Sequence, residues 1–127
     1  MALEYSINAN DGLLTVTTSG FDENVEEAVS YGKSVITACV ENQCRKLLVN
    51  EANVTSVLDK GGQYNMVQQL TSLVPHDIFI AFVASPEHFA DTSFGALVAE
   101  NRGMHIKAFT SVVEAKEWLQ EQELDQG

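Results

Sequence analysis

The sequence predicts an α/β fold in which a β-hairpin enters a mostly parallel five-stranded sheet carrying four helices, in the order ββαβαβαβα. Segments rich in β-branched residues alternate with segments whose apolar residues recur every three or four positions. A helical segment lies between successive strands after the hairpin, as parallel pairing requires. The 127 residues are 45% hydrophobic, so we expect one domain over residues 1–127 with a single core.

The first two strands are predicted at residues 5–8 and 13–18, because Asn10, Asp11 and Gly12 form a turn signal between them. The second of these segments has the Val and Thr content that is typical of strands.

The longest apolar stripe in the chain predicts the first helix, with Asp22 as its N-cap. The stripe consists of Val25, Ala28, Val29, Gly32, Val35, Ile36, Cys39 and Val40. A short apolar strand is predicted at residues 45–50, and a loop is predicted over residues 51–58.

A second helix is predicted to follow this loop and to end at Pro75, because the residue before a proline is pushed out of helical geometry. Residues 77–84 are almost entirely apolar and predict a central strand. Ser85 and Pro86 predict the N-cap and first position of a third helix, which Gly103 is expected to end.

Alternating apolar and polar residues over 104–109 predict a half-exposed strand. Ser111 and Glu114 form a capping box that predicts the start of the last helix. The residues expected on its buried side are Val112, Ala115, Trp118 and Leu119.

Acidic residues dominate the charge: 18 Asp and Glu against 7 Lys and Arg give a net charge of −11. No basic cluster is present to neutralise phosphates, which argues against nucleic acid as a partner. The sequence has no apolar run long enough to span a membrane and no signal-peptide pattern at its start, so we expect a cytoplasmic protein. Residues 33–113 are nearly neutral, with seven acidic and six basic residues, and this leaves peripheral membrane contact open.

Five segments carry a family resemblance: residues 11–16 (DGLLTV), 45–51 (RKLLVNE), 81–86 (AFVASP), 99–103 (AENRG) and 114–119 (EAKEWL). Together with the order of elements, they resemble the STAS domain and its bacterial single-domain branch, the SpoIIAA-like family. The resemblance extends over nearly the whole chain. It implies a five-stranded sheet with four helices and a non-enzymatic role in binding proteins or small ligands.

Anti-sigma-factor antagonists of this kind carry a phosphorylatable serine, in an Asp-Ser-Ser-Gly or Asp-Ser-Ala-Gly stretch, at the start of the second helix. The corresponding residues here are Asp59, Lys60, Gly61 and Gly62, and a lysine in the place of the serine cannot accept a phosphate. The resemblance therefore implies a regulatory module that lacks this phosphorylation switch.

Two groups of residues are candidates for an anion or ligand site. Lys60, Gly61 and Gly62 lie at a helix start, where backbone N–H groups bind anions. Asn50 and Glu51 end a strand, which is where ligands of α/β proteins bind. The structural alternatives are a tight glycine turn and a pair that anchors a loop.

The second and third predicted helices carry very little charge, with none at all over residues 61–76. We expect these helices either to pack against the sheet, or to cover an apolar pocket, or to form a surface for a protein or lipid partner. The residues predicted for the pocket or surface are Tyr64, Met66, Val67, Leu70, Phe89, Phe94 and Leu97. An uncharged face on an acidic protein also predicts a homodimer.

Catalytic motifs are absent from the sequence, which has no Gly-x-Ser-x-Gly, His-Glu-x-x-His or Gly-x-Gly-x-x-Gly. His88 and Asp91 have the spacing of two metal ligands, but a third ligand would have to come from His105, so we expect no metal and no cofactor. Cys39 and Cys44 fit no redox or zinc spacing and are expected to be reduced structural residues, the alternative being a redox switch.

The first functional hypothesis is a non-enzymatic, STAS-like binding or regulatory module. The second is a carrier or sensor of a small apolar or lipid-like ligand, with peripheral membrane association. A third is an enzyme that uses Asn50, Glu51 and Lys60.

Overall fold

The computed structural model describes residues 3–22, 24–56 and 58–122. Its elements are β1 (Leu3–Asn10), β2 (Leu13–Asp22), α1 (Val25–Glu41), β3 (Lys46–Ser56), α2 (Lys60–Thr71), β4 (Phe79–Ala84), α3 (Phe89–Glu100), β5 (His105–Phe109) and α4 (Val112–Glu121). The strands form one sheet in the order β1-β2-β3-β4-β5, with β1 antiparallel to β2 and the other pairs parallel. The predicted order and the mostly parallel five-stranded sheet are confirmed.

The helices lie on both faces of the sheet. Crossovers between neighbouring parallel strands are right-handed, so α1, α2 and α3 all lie on one side, here called the helix-layer face. The buried sheet residues on that face are Leu14, Val16, Leu47, Val49, Ile80 and Ile106. The opposite side, the α4 face, is built from Leu48, Ala81, Val83, Ala115 and Leu119.

The predicted loop over residues 51–58 is wrong, because β3 continues to Ser56. Residues 19–22 of β2 pair with residues 53–56 of β3, beyond a register shift between Thr17 and Ser19. Ala52, Asn53 and Thr55 are exposed. Residues 51–56 are more polar than the first half of β3, so the apolar pattern that predicts a strand does not extend to them.

The predicted N-cap of α1 is wrong. Asp22 is the last residue of β2 and pairs with Ser56, while Asn24 occupies the cap position. The Asn24 side chain accepts a hydrogen bond from the Glu27 N–H at 2.8 Å. Val40 was predicted to belong to the buried stripe of α1, and this is wrong, because its side chain is 51% exposed near the end of the helix.

The predicted start of α3 is also wrong, since the helix begins at Phe89 with His88 as its N-cap. Ser85 and Pro86 form a turn before the helix, closed by a hydrogen bond from the His88 N–H to the Ser85 carbonyl at 3.0 Å. Proline suits the second position of a turn as well as the first position of a helix, which explains the error.

Other local signals are confirmed. Asp11 and Gly12 have φ of 51° and 81°, as the tight turn of the hairpin requires. Gly103, with φ of 92°, follows α3, and the N–H groups of Gly103 and Met104 donate to the carbonyls of Glu100 and Ala99.

The start of α4 follows its predicted capping box. The Ser111 hydroxyl accepts the Glu114 N–H at 3.3 Å, and Ala115 and Leu119 are buried beneath the helix. The second predicted helix, α2, ends at Thr71, and a short turn connects Thr71 to Pro75.

Candidate functional site

An apolar cavity of about 180 Å³ lies between the helix layer and the sheet. Its floor consists of Leu47, Val49, Ile80, Phe82 and Ile106. One wall is built from Ala28, Tyr31, Gly32, Val35 and Ile36 of α1. Its cover is built from Gln63, Met66, Val67 and Leu70 of α2 and from Asp91, Thr92, Gly95, Ala96 and Ala99 of α3. The cavity therefore lies beneath the two helices that the sequence predicts to be nearly uncharged.

Two glycines set the spacing of the helices around the cavity. A Cβ on Gly32 would lie 2.5 Å from Leu70 Cδ1, so the missing side chain lets α1 and α2 approach each other closely. A Cβ on Gly95 would lie 3.8 Å from Val67 Cγ2, an ordinary contact distance. The absence of a side chain at Gly95 leaves part of the space between α3 and α2 unfilled.

Polar side chains line one end of the cavity. The helices run antiparallel to the strands they connect, so the helix starts meet the carboxyl ends of the strands at one edge of the sheet. The polar residues that line the cavity toward this edge are Tyr31, Glu51, Gln63, His88, Asp91 and Thr92. Glu51 is in register with Ala84, the last residue of β4. The opposite end is lined mainly by apolar residues such as Val35, Leu70 and Ile106, together with Thr71 at the end of α2.

A chain of hydrogen bonds holds Glu51 at this polar end. The Tyr31 hydroxyl donates to Glu51 Oε2 at 2.9 Å and lies 2.7 Å from the Thr18 hydroxyl. Because the phenol has a single proton, the Thr18 hydroxyl is the donor in the second bond. Burial, with a further contribution from the Glu51 charge, raises the pKa of Tyr31 far above its ordinary value. Tyr31 therefore remains a neutral donor that joins α1 to β2 and β3.

The residues predicted for a pocket or partner surface separate into two groups. Met66, Val67 and Leu70 line the cavity. Tyr64 and Leu97 are on the outside, where 42% and 55% of their surfaces are exposed. Phe89 and Phe94 are half-buried, and neither is among the residues that line the cavity.

Two cation–aromatic contacts link the outer side of α2 to α3 and to the turn that follows α3. An Arg102 guanidinium nitrogen donates to the Tyr64 hydroxyl at 2.8 Å, with the guanidinium 5.4 Å from the ring centre. Lys60 Nζ lies 5.6 Å from the centre of the Phe94 ring. At exposed sites such pairs contribute roughly 0.5–1 kcal/mol each, so they tie the two helices together weakly.

The predicted anion site lies at the start of α2, where Asp59 is the N-cap. The Gly62 N–H donates to Asp59 Oδ1 at 2.8 Å, while Lys60 and Gly61 are exposed. An anion at this helix start would compete with the Asp59 carboxyl group for the same donor. Gly62 lines a wide surface groove between α1 and α2 together with Asp59 and Asn65.

Asn50 and Glu51 are neighbours in β3, and their side chains therefore point to opposite faces of the sheet. Asn50 is in register with Val83, so it lies on the α4 face, and its side chain accepts the Ala52 N–H at 3.1 Å. Glu51 lines the cavity, and Lys60 is exposed at the start of α2. The three residues of the enzyme hypothesis therefore do not form one constellation.

Sequence reasoning missed most of the polar residues of the cavity, although a signal for two of them was present. Tyr31 falls on the apolar stripe of α1, three residues after Ala28 and four before Val35. Gln63 lies three and four residues before Met66 and Val67, and is buried. A polar side chain on an apolar helix stripe faces the core, and this indicates a buried hydrogen-bonding role.

His88 and Asp91 both line the cavity, as part of its polar end. Within the described ranges, no three His, Cys, Asp or Glu side chains come close enough together to hold a metal ion. None of the described helices combines the length and the apolar character needed to cross a membrane.

Cys39 and Cys44 are free and buried, as expected for reduced structural residues. The Cys39 thiol donates to the Cys44 carbonyl at 3.2 Å. Burial, more than neighbouring charges, raises the pKa of Cys39 to about 12, and burial also raises the pKa of Cys44. Neither thiol has the lowered pKa of a redox switch.

No protein-family model matches the sequence, and no curated protein matches it. Among solved structures, the chain is similar to the crystal structure of an anti-sigma factor antagonist from Mycobacterium paratuberculosis. The TM-score is 0.67 at 12% sequence identity, and the match covers 94% of this chain and 96% of that chain. At this identity the likeness shows the fold, and it confirms the STAS/SpoIIAA-like fold that the sequence motifs predict.

Proposed function

We propose that this protein is a non-enzymatic STAS-fold module that binds a small apolar ligand in the cavity beneath α2 and α3. The observation that carries the proposal is the apolar cavity of about 180 Å³ with a polar end. A mostly apolar concave site with a few polar groups at one end is the usual form of a small-ligand site. A bound apolar ligand would be removed from water by contact with these walls.

The same helices support a regulatory role. α2 and α3 cover the cavity with one side and expose Tyr64 and Leu97 on the other. A ligand that shifts these helices would change the surface available to a protein partner. The sequence resemblance places Lys60 at the position of the phosphorylatable serine of anti-sigma-factor antagonists. In this proposal, occupancy of the cavity therefore replaces phosphorylation as the signal.

The test measures whether an octyl chain enters the cavity, with 1-octanol as the probe. We expect 1-octanol to raise the melting temperature of the wild-type protein and to be retained in native mass spectra. Gly95→Leu places a side chain in the cavity and should abolish the shift. Ala90→Leu changes the exposed side of the same helix and should retain it. Wild-type protein that binds no octyl compound, and carries none after purification, would contradict the proposal.

A protein-binding role for the outer surface is a second candidate, favoured by the exposure of Leu97 and Tyr64 on helices with little charge. Its simplest form is the predicted homodimer. We expect Leu97→Asp to lower the mass measured by light scattering after size exclusion. Val113→Asp, at a residue that is 64% exposed on α4, should leave the mass unchanged. A wild-type monomer at all concentrations would rule out the dimer.

A further inference from the structure

We propose that the ligand of the cavity is a small neutral alcohol, and that the side-chain carbonyl oxygen of Gln63 accepts the hydrogen bond of its hydroxyl group. The inference rests on the proposed function and adds the chemistry of the ligand. It places the hydroxyl group near the start of α2. The apolar part of the ligand then lies along Met66, Val67 and Leu70, toward the end of this helix.

Gln63 is a buried polar residue whose hydrogen-bonding capacity is only partly used. It lines the cavity, and 7% of its surface is exposed. Its side-chain nitrogen Nε2 donates to the Leu58 carbonyl at 3.3 Å. Within the described ranges, the Gln63 side chain makes no other hydrogen bond. The amide oxygen Oε1 is therefore an acceptor whose donor a ligand can supply.

The bond to Leu58 also fixes the direction in which the amide group points. A carbonyl accepts a hydrogen bond from the NH₂ group and not from the amide oxygen, so Nε2 faces Leu58 and Oε1 faces away from it. Among the described side chains, every fully buried nitrogen or oxygen atom has a hydrogen-bond partner. Because Oε1 has none, it must border accessible space, and the cavity is the space that Gln63 lines.

An acceptor in these surroundings favours a donor that carries no charge. Met66 and Val67 follow Gln63 by three and four residues and line the cavity beside it, so the surroundings are mainly apolar. A carboxylate has no proton to donate to Oε1, and it would share the lining with the carboxyl groups of Glu51 and Asp91. A protonated amine can donate, but the neutral amide compensates poorly for removing its charge from water. A hydroxyl group supplies one donor without a charge.

The volume of the cavity limits the ligand to a small molecule. Apolar cavities of about 150 Å³ bind a molecule of the size of benzene. The cavity of about 180 Å³ therefore suits an alcohol with one short chain, and a lipid with two long acyl chains is far too large for it.

Two isomers of equal size test the hydroxyl group: 1-octanol, and 1-methoxyheptane, whose ether oxygen cannot donate a hydrogen bond. Dissociation constants are measured by isothermal titration at pH 7 on the full chain. We expect 1-octanol to bind about fivefold more tightly, because only the alcohol donates to Gln63 Oε1. Equal or tighter binding of the ether would overturn the proposal.

Gln63→Leu replaces the amide group with an apolar side chain of similar size. We expect the preference for 1-octanol to disappear, while 1-methoxyheptane binds within about threefold of wild type. The ratio of the two constants is the readout, since the loss of the bond to Leu58 affects both ligands alike. Gln68→Leu, at an exposed residue of α2 outside the cavity lining, is the matched control and should retain the preference. An unchanged preference in Gln63→Leu would overturn the assignment to Gln63.

A second measurement decides the question if Gln63→Leu does not fold. The carbon-13 chemical shift of the Gln63 side-chain carbonyl in wild-type protein should respond to 1-octanol and much less to 1-methoxyheptane. The same response to both isomers would overturn the hydrogen bond.

The remaining outcomes separate the inference from the function on which it rests. Binding of both isomers with equal affinity would retain the cavity function and overturn the hydroxyl group. Tighter binding of octylamine or octanoate than of 1-octanol would also retain the cavity function, and it would overturn the neutral head. Binding of none of these probes would overturn both proposals.

Discussion

The two faces of the sheet are covered in different ways. On the α4 face, one helix seals a small core of five buried apolar residues, surrounded by packed aromatic rings. The Trp118 ring centre lies 6.4 Å from that of Phe79 and 5.9 Å from that of Phe109. On the helix-layer face, three helices cover a larger core that includes the cavity and its polar end.

The difference follows from the sequences of the helices. α4 carries charged residues on its outer side and apolar residues on its inner side, so one packing arrangement is specified. α2 and α3 are nearly uncharged, and Gly95 leaves space where a side chain would otherwise fill the layer. The comparison indicates that the α4 face is closely packed, whereas the helix-layer face contains the cavity that we propose as a binding site.

Truncating one leucine on each face should give the largest difference between the faces in the free energy of unfolding. Leu119 is 2% exposed in the α4 core, and we expect Leu119→Ala to lower the free energy of unfolding by about 3 kcal/mol. Leu70 lines the cavity, so its side chain has fewer packing neighbours to lose. We therefore expect Leu70→Ala to lower the free energy of unfolding by about half as much as Leu119→Ala. Urea denaturation followed by circular dichroism measures both. Equal losses would mean that the helix-layer face is as tightly packed as the α4 face.

The titration of buried groups should also distinguish the faces. The described groups with a raised pKa, Tyr31, Cys39 and Cys44, all belong to the helix-layer face. The pKa of Cys39 rises from 9.0 to about 12, so between these values the unfolded chain releases a proton that the folded protein retains. The free energy of unfolding should therefore be unaffected by this group below pH 9. It should then fall by about 1 kcal/mol per pH unit above pH 9.

The measurement is urea denaturation at pH 8, 9 and 10. Cys39→Ala is the control, because it removes this thiol and should make the alkaline loss of stability shallower. Tyr31 contributes in the same direction at higher pH, since its pKa is also raised. An identical pH dependence in wild type and Cys39→Ala would show that the Cys39 thiol does not contribute.

Most of the fold could be predicted because its helices and strands have recognisable local patterns. The apolar stripes of α1 and α4 predict helices, and the apolar run of β4 predicts a strand. The polar second half of β3 has no such pattern, because it forms through pairing with β2. The lining of the cavity could be predicted in part: the uncharged stretch of α2 predicts a pocket or partner surface that includes Met66, Val67 and Leu70, and these residues line the cavity.

The polar end of the cavity could not be predicted in the same way. Asn50 and Glu51 form one motif in the sequence, but the pleat of β3 sends them to opposite faces. Tyr31 and Glu51 are 20 positions apart, and their hydrogen bond depends on how α1 packs across β2 and β3. Contacts of this kind are set by the tertiary structure.

A smaller effect should follow from adding one methyl group to the helix-layer face. Gly95→Ala replaces a glycine inside α3 with the best helix former, and the new Cβ meets Val67 at an ordinary 3.8 Å. We expect the free energy of unfolding to rise by about 0.5–1 kcal/mol, measured by urea denaturation.

Gly32→Ala is the matched comparison, because its Cβ would lie 2.5 Å from Leu70 Cδ1 and Leu70 would have to move. The gain in helix propensity should then be offset, and the stability should change less than in Gly95→Ala or fall. Since both glycines line the cavity, a clear gain at Gly95 together with retained binding of 1-octanol would show that the glycine is a weak point in α3 and that the cavity does not require it. A loss of stability at Gly95 would instead mean that the space between α2 and α3 is already filled.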